Sequence, residues 1–568
     1  MLTLSAWAVP ARRVWTTMTQ PDGTTIRVMT VGDEFCHYTL TDDGTVVVRD
    51  DSGWFRPAGE EELLNKRENA ALRRQHANAR RQARLAAAQR HEVLTSAHDV
   101  GARSNYSGEK RGLVILVNFS NKTIKSGRQA IDNMFNLTGY NKNNHIGSVR
   151  DYFLDQSYGQ LTIDFDVVGP VTLDNNYAYY GKNDSDGNDE NASLMIEDAC
   201  RAADADVDFS LYDWDGDGEV DQVYVIYAGY GENYASSDEN TIWPHEWSLD
   251  DAKYYGVGSG ALTLDGVRVN TYACSAELAY TSGLTLNGIG TACHEFSHCL
   301  GFPDFYDSEY KLCPSMLDWD LLDAGSYNGP NYLGEVPVGY TAYERWMAGW
   351  LDFVTLDAPC AVTDMANLGD SSRAYIIYNE AEHNEAYILE NRQQKRWFTY
   401  PESAHGMLIY HVDYDAEAWY ENTVNSDATH PRMCVVPANN TYGEKDTANG
   451  IYNPTNLQLR GQLWPGYEGK TVLSNTSTPA AVTFNSNTDG SYLLNATVSD
   501  IAESDDGLIS FSFGVVTSLS SPELGVTDKD AERPAACYDL LGRRVCSGTM
   551  KTNKQISIIN NHLIIIAQ

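Results

Sequence analysis

Two histidines four residues apart, with a glutamate directly after the first, are the residues of this chain best equipped for chemistry. They are His294, Glu295 and His298, in the run T-A-C-H-E-F-S-H-C-L-G-F-P-D-F-Y-D from Thr291 to Asp307. On an α-helix, residues four apart point about 40° from each other and lie about 6 Å apart along the axis, so two imidazoles can close on one metal ion. Zinc is the ion expected for this arrangement. Glu295 is placed beside the metal rather than on it, within reach of an attacking water whose proton it can take. Chance would produce H-E-x-x-H about 0.02 times in a chain of this length, so the run is informative.

The residues that follow supply a third ligand. In a straight continuation of the helix, Asp304 would lie about 15 Å from His294, far beyond a metal bond of about 2 Å. Gly301 suits the left-handed residue that ends a helix and Pro303 prevents its resumption, so the chain is expected to turn back there. Asp304 is the leading third ligand and Asp307 the reserve. A carboxylate in place of a third imidazole lowers the net charge at the metal by one, leaving Glu295 more of the activation to do.

A second cluster lies at Asp213-Trp-Asp215-Gly-Asp217-Gly218-Glu219-Val-Asp221. Oxygen donors at alternate positions with glycine at the sixth match a calcium loop, with Asp213, Asp215, Asp217, Glu219 and Asp221 as ligands. The twelfth position is Tyr224 instead of a bidentate glutamate, so the predicted affinity is modest and suited to extracellular calcium. Because the loop runs directly into the strand pattern Gln222 to Ala228, calcium would stiffen the fold rather than perform chemistry.

Positioning these groups takes more than one domain, since 568 residues predict two to four. The formal charge of -37 argues against nucleic acid as a partner and fits a like-charged, monomeric extracellular protein. Residues 1–105 are nearly neutral, with 14 Lys+Arg against 13 Asp+Glu, and the stretch Lys66 to Arg90 holds eight basic residues against Glu68 alone. That basic, helix-favouring stretch ahead of an acidic enzyme suggests a removable propeptide. The first residues end in Ala6-Trp7-Ala8, an A-x-A cleavage pattern without a charged n-region, and residues 1–10 read as the remnant of a secretory signal. No stretch is apolar enough to span a membrane. Ten cysteines are too few for a disulfide scaffold, and Cys293 and Cys299 lie too far apart around the helix to share the zinc.

Strand-like alternation with turn signals at Asp22-Gly23 and Asp43-Gly44 predicts a small β-rich unit, which with the basic helix makes up the propeptide, residues 11–105. Leu113 to Phe119, Leu161 to Val168 and Gln222 to Ala228 read as strands, Ser148 to Gln156 as a helix, and the metal helix is expected from about Leu286. An α+β catalytic domain over residues 106–352 follows. Apolar runs at Ala374 to Tyr378, Ala386 to Leu389, Met407 to Val412 and Leu508 to Val516 predict a β-sandwich-like accessory domain over residues 353–516. Residues 517–534 read as a linker and residues 535–568 as a short β module.

Taken together, H-E-F-S-H-C-L-G-F-P-D-F-Y-D, the D-x-D-x-D-G-x-x-D loop, W-P-H at Trp243 to His245, W-D-L-L-D-A-G-S-Y-N-G and Y-T-A-Y-E-R-W resemble the immune inhibitor A family of secreted metalloproteases over roughly residues 20 to 515. The resemblance implies a metzincin-like zinc endopeptidase made with a propeptide and acting on protein substrates, with His294 and His298 on zinc, Glu295 as general base and Asp304 as third ligand. Where the family has a methionine beneath the metal, this chain has Leu322, and Met316 is out of register. For a tyrosine that holds the oxyanion, Tyr327 is the nearest candidate and Tyr340 the alternative, with a core role as the competing reading of each. The segments Glu390-Asn-Arg392 and His411-Val-Asp413 also look family-like. Tyr538 to Val545, Y-D-L-L-G-R-R-V, resembles a type IX secretion sorting domain of Bacteroidetes, which implies export to the cell surface or medium. The competing functional reading is a surface adhesin or polymer-binding protein whose metal is only structural; keeping Glu295 argues against it.

Overall fold

Alternation of Thr, Val and Ile with polar residues gives the N-terminal region five short strands, β1 (Thr16–Thr19), β2 (Thr25–Gly32), β3 (His37–Thr41), β4 (Val46–Arg49) and β5 (Phe55–Pro57), paired in order as an antiparallel meander. Its turns fall at the Asp-Gly pairs: Gly23 and Gly44 take φ of 88° and 82°, and the Asp22 and Asp43 carboxylates accept backbone N–H groups two residues on. The computed structural model describes residues 9–12, 15–33, 37–50, 52–64, 106–184, 189–234, 240–280, 283–447 and 450–515, together with the backbone of four C-terminal strands. The basic stretch Lys66 to Arg90, the Ala6-Trp7-Ala8 pattern and the linker 517–534 lie outside the described residues.

The region expected to be catalytic is built on a five-stranded sheet. Its members are β6 (Gly108–Asn118), β7 (Leu161–Thr172), β8 (Val223–Tyr230), β9 (His245–Ser248) and, after the small hairpin β10 (Leu262–Leu264) and β11 (Val267–Val269), β12 (Thr271–Leu278). The order is β7-β6-β8-β12-β9, with four parallel strands and β9 antiparallel at one edge. Both faces are covered, which is why Leu113 to Val117 is apolar without alternation: Leu113, Ile115 and Val117 enter one core while Val114 and Leu116 enter the other. The second core receives the helix Val149–Gln156, capped by Ser148 in a capping box with Asp151, and the motif helix Ile289–Cys299. That helix begins three residues later than Leu286 because Gly288 forms its N-cap.

Beyond the catalytic region, β13 (Val354–Thr355), β15 (Tyr375–Asn379), β16 (Glu382–Arg392), β17 (Gly406–Asp413) and β18 (Met433–Val435) form one sheet. A second consists of β14 (Cys360–Met365), β21 (Ala496–Glu503) and β22 (Ile509–Val515), while β19 (Glu444–Asp446) and β20 (Ile451–Asn453) make a separate hairpin. Tyr375, Ile377, Leu389 and Ile409 of the larger sheet share a core with Val498, Ile509, Phe511 and Phe513 of the smaller, a sandwich-like arrangement. The alternate residues Ile376, Ile388, Leu408 and Tyr410 join the core under the motif helix. The larger sheet is thus buried on both faces and is continuous in packing with the catalytic region. Residues 517–568 cluster as a separate unit, within which Ala535–Tyr538 pairs with Arg544–Gly548 and Lys554–Ile559 with His562–Ala567. Among the described residues no helix is long and apolar enough to cross a membrane.

Candidate metal centre

The motif helix is buried along its whole length from Ile289 to His298, packed between the sheet and the loop Ser326–Gly334. Two glycines allow that approach. A Cβ on Gly290 would stand 1.8 Å from the Ser326 carbonyl oxygen, and one on Gly288 would stand 2.1 Å from that of Leu333. At the other end Gly301 takes φ of 86° and donates to the His298 carbonyl at 2.8 Å, so the helix stops and the chain reverses as the sequence predicts.

The reversal carries Asp304 back to the histidines. Its Oδ1 lies 3.2 Å from His294 Nε2 and 3.3 Å from His298 Nε2, and the two Nε2 atoms are 3.0 Å apart. All three side chains are buried. Each imidazole donates its Nδ1 proton to a backbone carbonyl, His294 to Leu321 O at 2.8 Å and His298 to Phe302 O at 2.7 Å. A neutral ring that donates from Nδ1 presents a bare lone pair at Nε2. Burial holds His298 below the ordinary imidazole range, which keeps it in that neutral form. Two lone pairs and a carboxylate oxygen therefore face one another without a proton between them, and Asp304 Oδ1 has no hydrogen-bond donor. A metal cation would satisfy such a set, and two imidazoles with one carboxylate suit zinc.

Glu295 Oε2 is also without a donor, and its carboxylate lies within 4.8 Å of the histidine nitrogens. Burial pushes its carboxyl well above the usual range, the Val9 N–H pulls it down, and the neighbouring charges of Asp304 and Glu246 push it further up. Asp307 is elsewhere: it accepts from the backbone N–H groups of Glu309, Lys311 and Cys313 and caps its own loop. The reserve ligand is thus set aside by geometry. Tyr340 is a core residue among the rings of Tyr152, Phe153, Phe302 and Trp350, with its hydroxyl on Ser297. Leu322 and Met316 are both buried in the same core as the motif helix.

Two features of the centre carry no local sequence signal. Asn422, from the accessory region, accepts the Asp304 N–H at 2.6 Å and donates to Asp304 Oδ2 at 2.8 Å, fixing the carboxylate from behind. In addition, residues 9–12 run through the site. The Val9 N–H donates to Glu295 Oε1 at 2.9 Å, Trp243 Nε1 donates to Val9 O at 3.0 Å, and the Tyr327 hydroxyl donates to Pro10 O at 2.6 Å while accepting from Asn233 Nδ2 at 3.0 Å. Arg12 holds the exit, donating from its backbone to Asn233 O and from Nη2 to Asn331 O. Val9 and Pro10, which the sequence reading places in a signal remnant, are therefore docked against the residues predicted to be catalytic. His245, next to Trp243, is neutral: burial lowers it to about 4, and its nitrogens meet Trp243 O and the Tyr272 hydroxyl.

In the acidic loop, Asp213, Asp215 and Asp221 converge, each offering an oxygen within 4.8 Å of the others. Gly216 and Gly218 take positive φ, and Asp213 accepts both of their N–H groups. Glu219 is turned out of the group into an ion pair with Arg268, and Asp217 accepts the Glu219 N–H. The structure thus brings together three of the five predicted calcium ligands. Of the family-like segments, Glu390 and Arg392 form a buried ion pair whose members bind the Ala342 N–H and the Gly339 carbonyl, and His411 pairs with Glu385. The seven cysteines among the described residues are free thiols, and neither Cys293 nor Cys299 enters the centre.

The chain is 25% identical over 242 residues to "Immune inhibitor A" of Bacillus thuringiensis subsp. alesti, a match covering 37% of this chain and 34% of that protein. It is 27% identical over 237 residues to the "Pre-pro-metalloprotease PrtV" of Vibrio cholerae serotype O1, covering 38% of this chain and 24% of the relative. The matched stretch thus spans about a third or less of the length of these relatives. Residues 110–351, which contain all of the sheet but its first two residues, the motif helix and Asp304, match the family described as the immune inhibitor A peptidase M6 catalytic domain.

Proposed function

We propose that the chain is a zinc-dependent endopeptidase made in a self-blocked form. The observation that carries this reading is a stretch of main chain, Val9–Pro10, lying beside the convergent His294, His298 and Asp304, with its N–H on Glu295 and its C=O on Tyr327. A site that already accommodates an extended peptide has the shape and hydrogen-bonding groups for a protein substrate.

His294, His298 and Asp304 would hold the zinc, which when bound supplies the Lewis acidity that polarises the scissile carbonyl. Glu295, with an oxygen left uncommitted, takes a proton from the attacking water and returns one to the leaving amine. Tyr327 donates its hydroxyl hydrogen to the carbonyl oxygen as negative charge develops there. Asn422 and the carbonyls of Leu321 and Phe302 hold the ligands in orientation. A purely structural metal site would have no use for the free oxygen of Glu295, which disfavours the adhesin reading. Asp213, Asp215 and Asp221 form a calcium site that braces β8, and the N-terminal region acts as a propeptide of an exported protein. Metal analysis and digestion of denatured casein test the reading: the processed protein should contain zinc and cleave casein, and Glu295→Ala should retain zinc but lose cleavage. Equal cleavage by both proteins would remove Glu295 from the mechanism.

A further inference from the structure

Three of the family-like segments, W-D-L-L-D, Y-T-A-Y-E-R-W and Glu390-Asn-Arg392, meet beside the turn that faces the candidate metal centre. The first supplies Asp320 and the second Glu344, and both are fully buried. Asp320 Oδ1 accepts the Leu322 N–H at 2.8 Å and so closes a turn whose next two carbonyls face the ligand set. Leu321 O accepts from His294 Nδ1 at 2.8 Å, and Leu322 O accepts the N–H of Phe305, the residue after Asp304, at 2.8 Å. One side chain thus sets two carbonyls, one of which orients a ligand directly while the other holds the residue next to a ligand.

A second carboxyl group holds Asp320. Glu344 Oε2 caps its own helix, Ala342–Met347, accepting from Thr341 N at 2.7 Å and Thr341 Oγ1 at 3.0 Å. Among the described residues no other group donates to the remaining oxygens, Asp320 Oδ2 and Glu344 Oε1, and the two side chains are hydrogen-bonded to each other. Ionised carboxylates only accept, so this contact requires one of the pair to keep its proton. The two donors already on Glu344 favour its charged form, which leaves the proton on Asp320. Burial and the neighbouring Glu344 charge push the Asp320 carboxyl well above the usual range, against the pull of Arg392. That guanidinium is committed elsewhere, to Glu390 at 2.5 Å and to Gly339 O at 3.1 Å, while Glu390 is itself taken by the Ala342 N–H and the Tyr410 hydroxyl. The Tyr340 phenol, near both carboxyls, is kept protonated by burial.

We propose that Asp320 and Glu344 are positioning residues that share one proton and so clamp the turn Asp320–Leu322 against the metal ligands. Without that proton two bare carboxylates in a dry site repel, the turn is released, and the ligands lose their orientation. The clamp's effect on catalysis presupposes that His294, His298 and Asp304 hold zinc; the shared proton itself does not.

The test compares the full chain as wild type, Asp320→Asn and Glu344→Gln. Each amide keeps the hydrogen bonds of the clamp but donates permanently, so neither variant has a shared proton to lose. Urea unfolding of the metal-free proteins is followed from about pH 5 to about pH 8. Native Asp320 keeps a proton that the unfolded chain releases near 4, so the wild type loses stability as pH rises through this window. Its unfolding constant should climb relative to either variant by about tenfold per pH unit until native Asp320 ionises. A ratio that stays flat would overturn the shared proton. Zinc affinity by chelator competition over the same range tests the positioning role: wild type and Asp320→Asn should agree at the acid end, and the wild type should bind about 10-fold or more weakly at the alkaline end. Parallel zinc affinities despite a climbing unfolding ratio would overturn the positioning role alone, and absence of zinc from all three proteins would overturn the metal centre and the positioning role with it.

Discussion

Replacing Tyr327 by phenylalanine separates the contact its hydroxyl makes with Pro10 from the carbonyl-donor role proposed for the same hydroxyl. In the structure that hydroxyl holds Pro10 O at 2.6 Å and is itself held by Asn233 Nδ2 at 3.0 Å, with Tyr327 almost fully buried. Removing it leaves a buried carbonyl and a buried amide without that partner, which costs about 1–3 kcal/mol. If that loss falls mainly on the docked state, the N-terminal segment leaves the site roughly 5- to 150-fold more often. On the proposed mechanism the same hydroxyl meets the substrate carbonyl once the N-terminal region is removed, and losing an oxyanion donor lowers kcat by about 100-fold or more. The assay is casein or fluorogenic-peptide cleavage by wild-type and Tyr327→Phe proteins, each before and after removal of the N-terminal region. The ratio of unprocessed to processed activity should rise in the variant even as its processed kcat falls. An unchanged ratio would refute the latch, and an unchanged kcat would refute Tyr327 as carbonyl donor.

Other outcomes follow from the same geometry. Gly290→Ala forces a Cβ into the Ser326 carbonyl at 1.8 Å, so it should destabilise the fold by about 3 kcal/mol or more in chemical unfolding; a variant of near wild-type stability would contradict the tight helix–loop contact. A calcium chelator should lower the unfolding temperature of the wild type, with saturating calcium worth about 3 kcal/mol at a hundredfold excess over Kd, and should have no effect on Asp213→Asn. His245 resists protonation until about 4 in the native state whereas the unfolded chain takes up a proton near 6.5. Native stability should therefore fall as pH drops through that window, by up to about 3 kcal/mol, and urea unfolding should show a flatter slope for His245→Asn. Asn422→Ala, which frees the Asp304 carboxylate on one side, should weaken zinc retention about 10- to 100-fold by metal competition without unfolding the protein.

What was legible in the chain was short-range. His294, Glu295 and His298 are read from helical spacing, and Asp304 from the helix-ending pair Gly301 and Pro303. The catalytic strands stood out because sheets buried on both faces need unbroken apolar runs. The rest depends on contacts between distant residues. Asn422 reaches Asp304 across 118 positions and Val9 reaches Glu295 across 286, with nothing in Y-E-N-T or V-P-A to announce either. Glu219 fits the calcium rhythm, but Arg268, 49 residues on, claims its carboxylate. The motif helix starts at Ile289 and not Leu286 because Gly288 forms its N-cap, pressed against the Leu333 carbonyl by a loop 45 residues on.

The burial of the motif helix has a consequence for time as well as for geometry. From Ile289 to His298 it has no solvent face, so its amides can exchange with water only when the core around them opens. The ligand set is then carried by one of the slowest-opening parts of the molecule. Stripping the metal should silence the enzyme while leaving hydrogen exchange in this helix slow, and returning it should restore activity without a refolding delay.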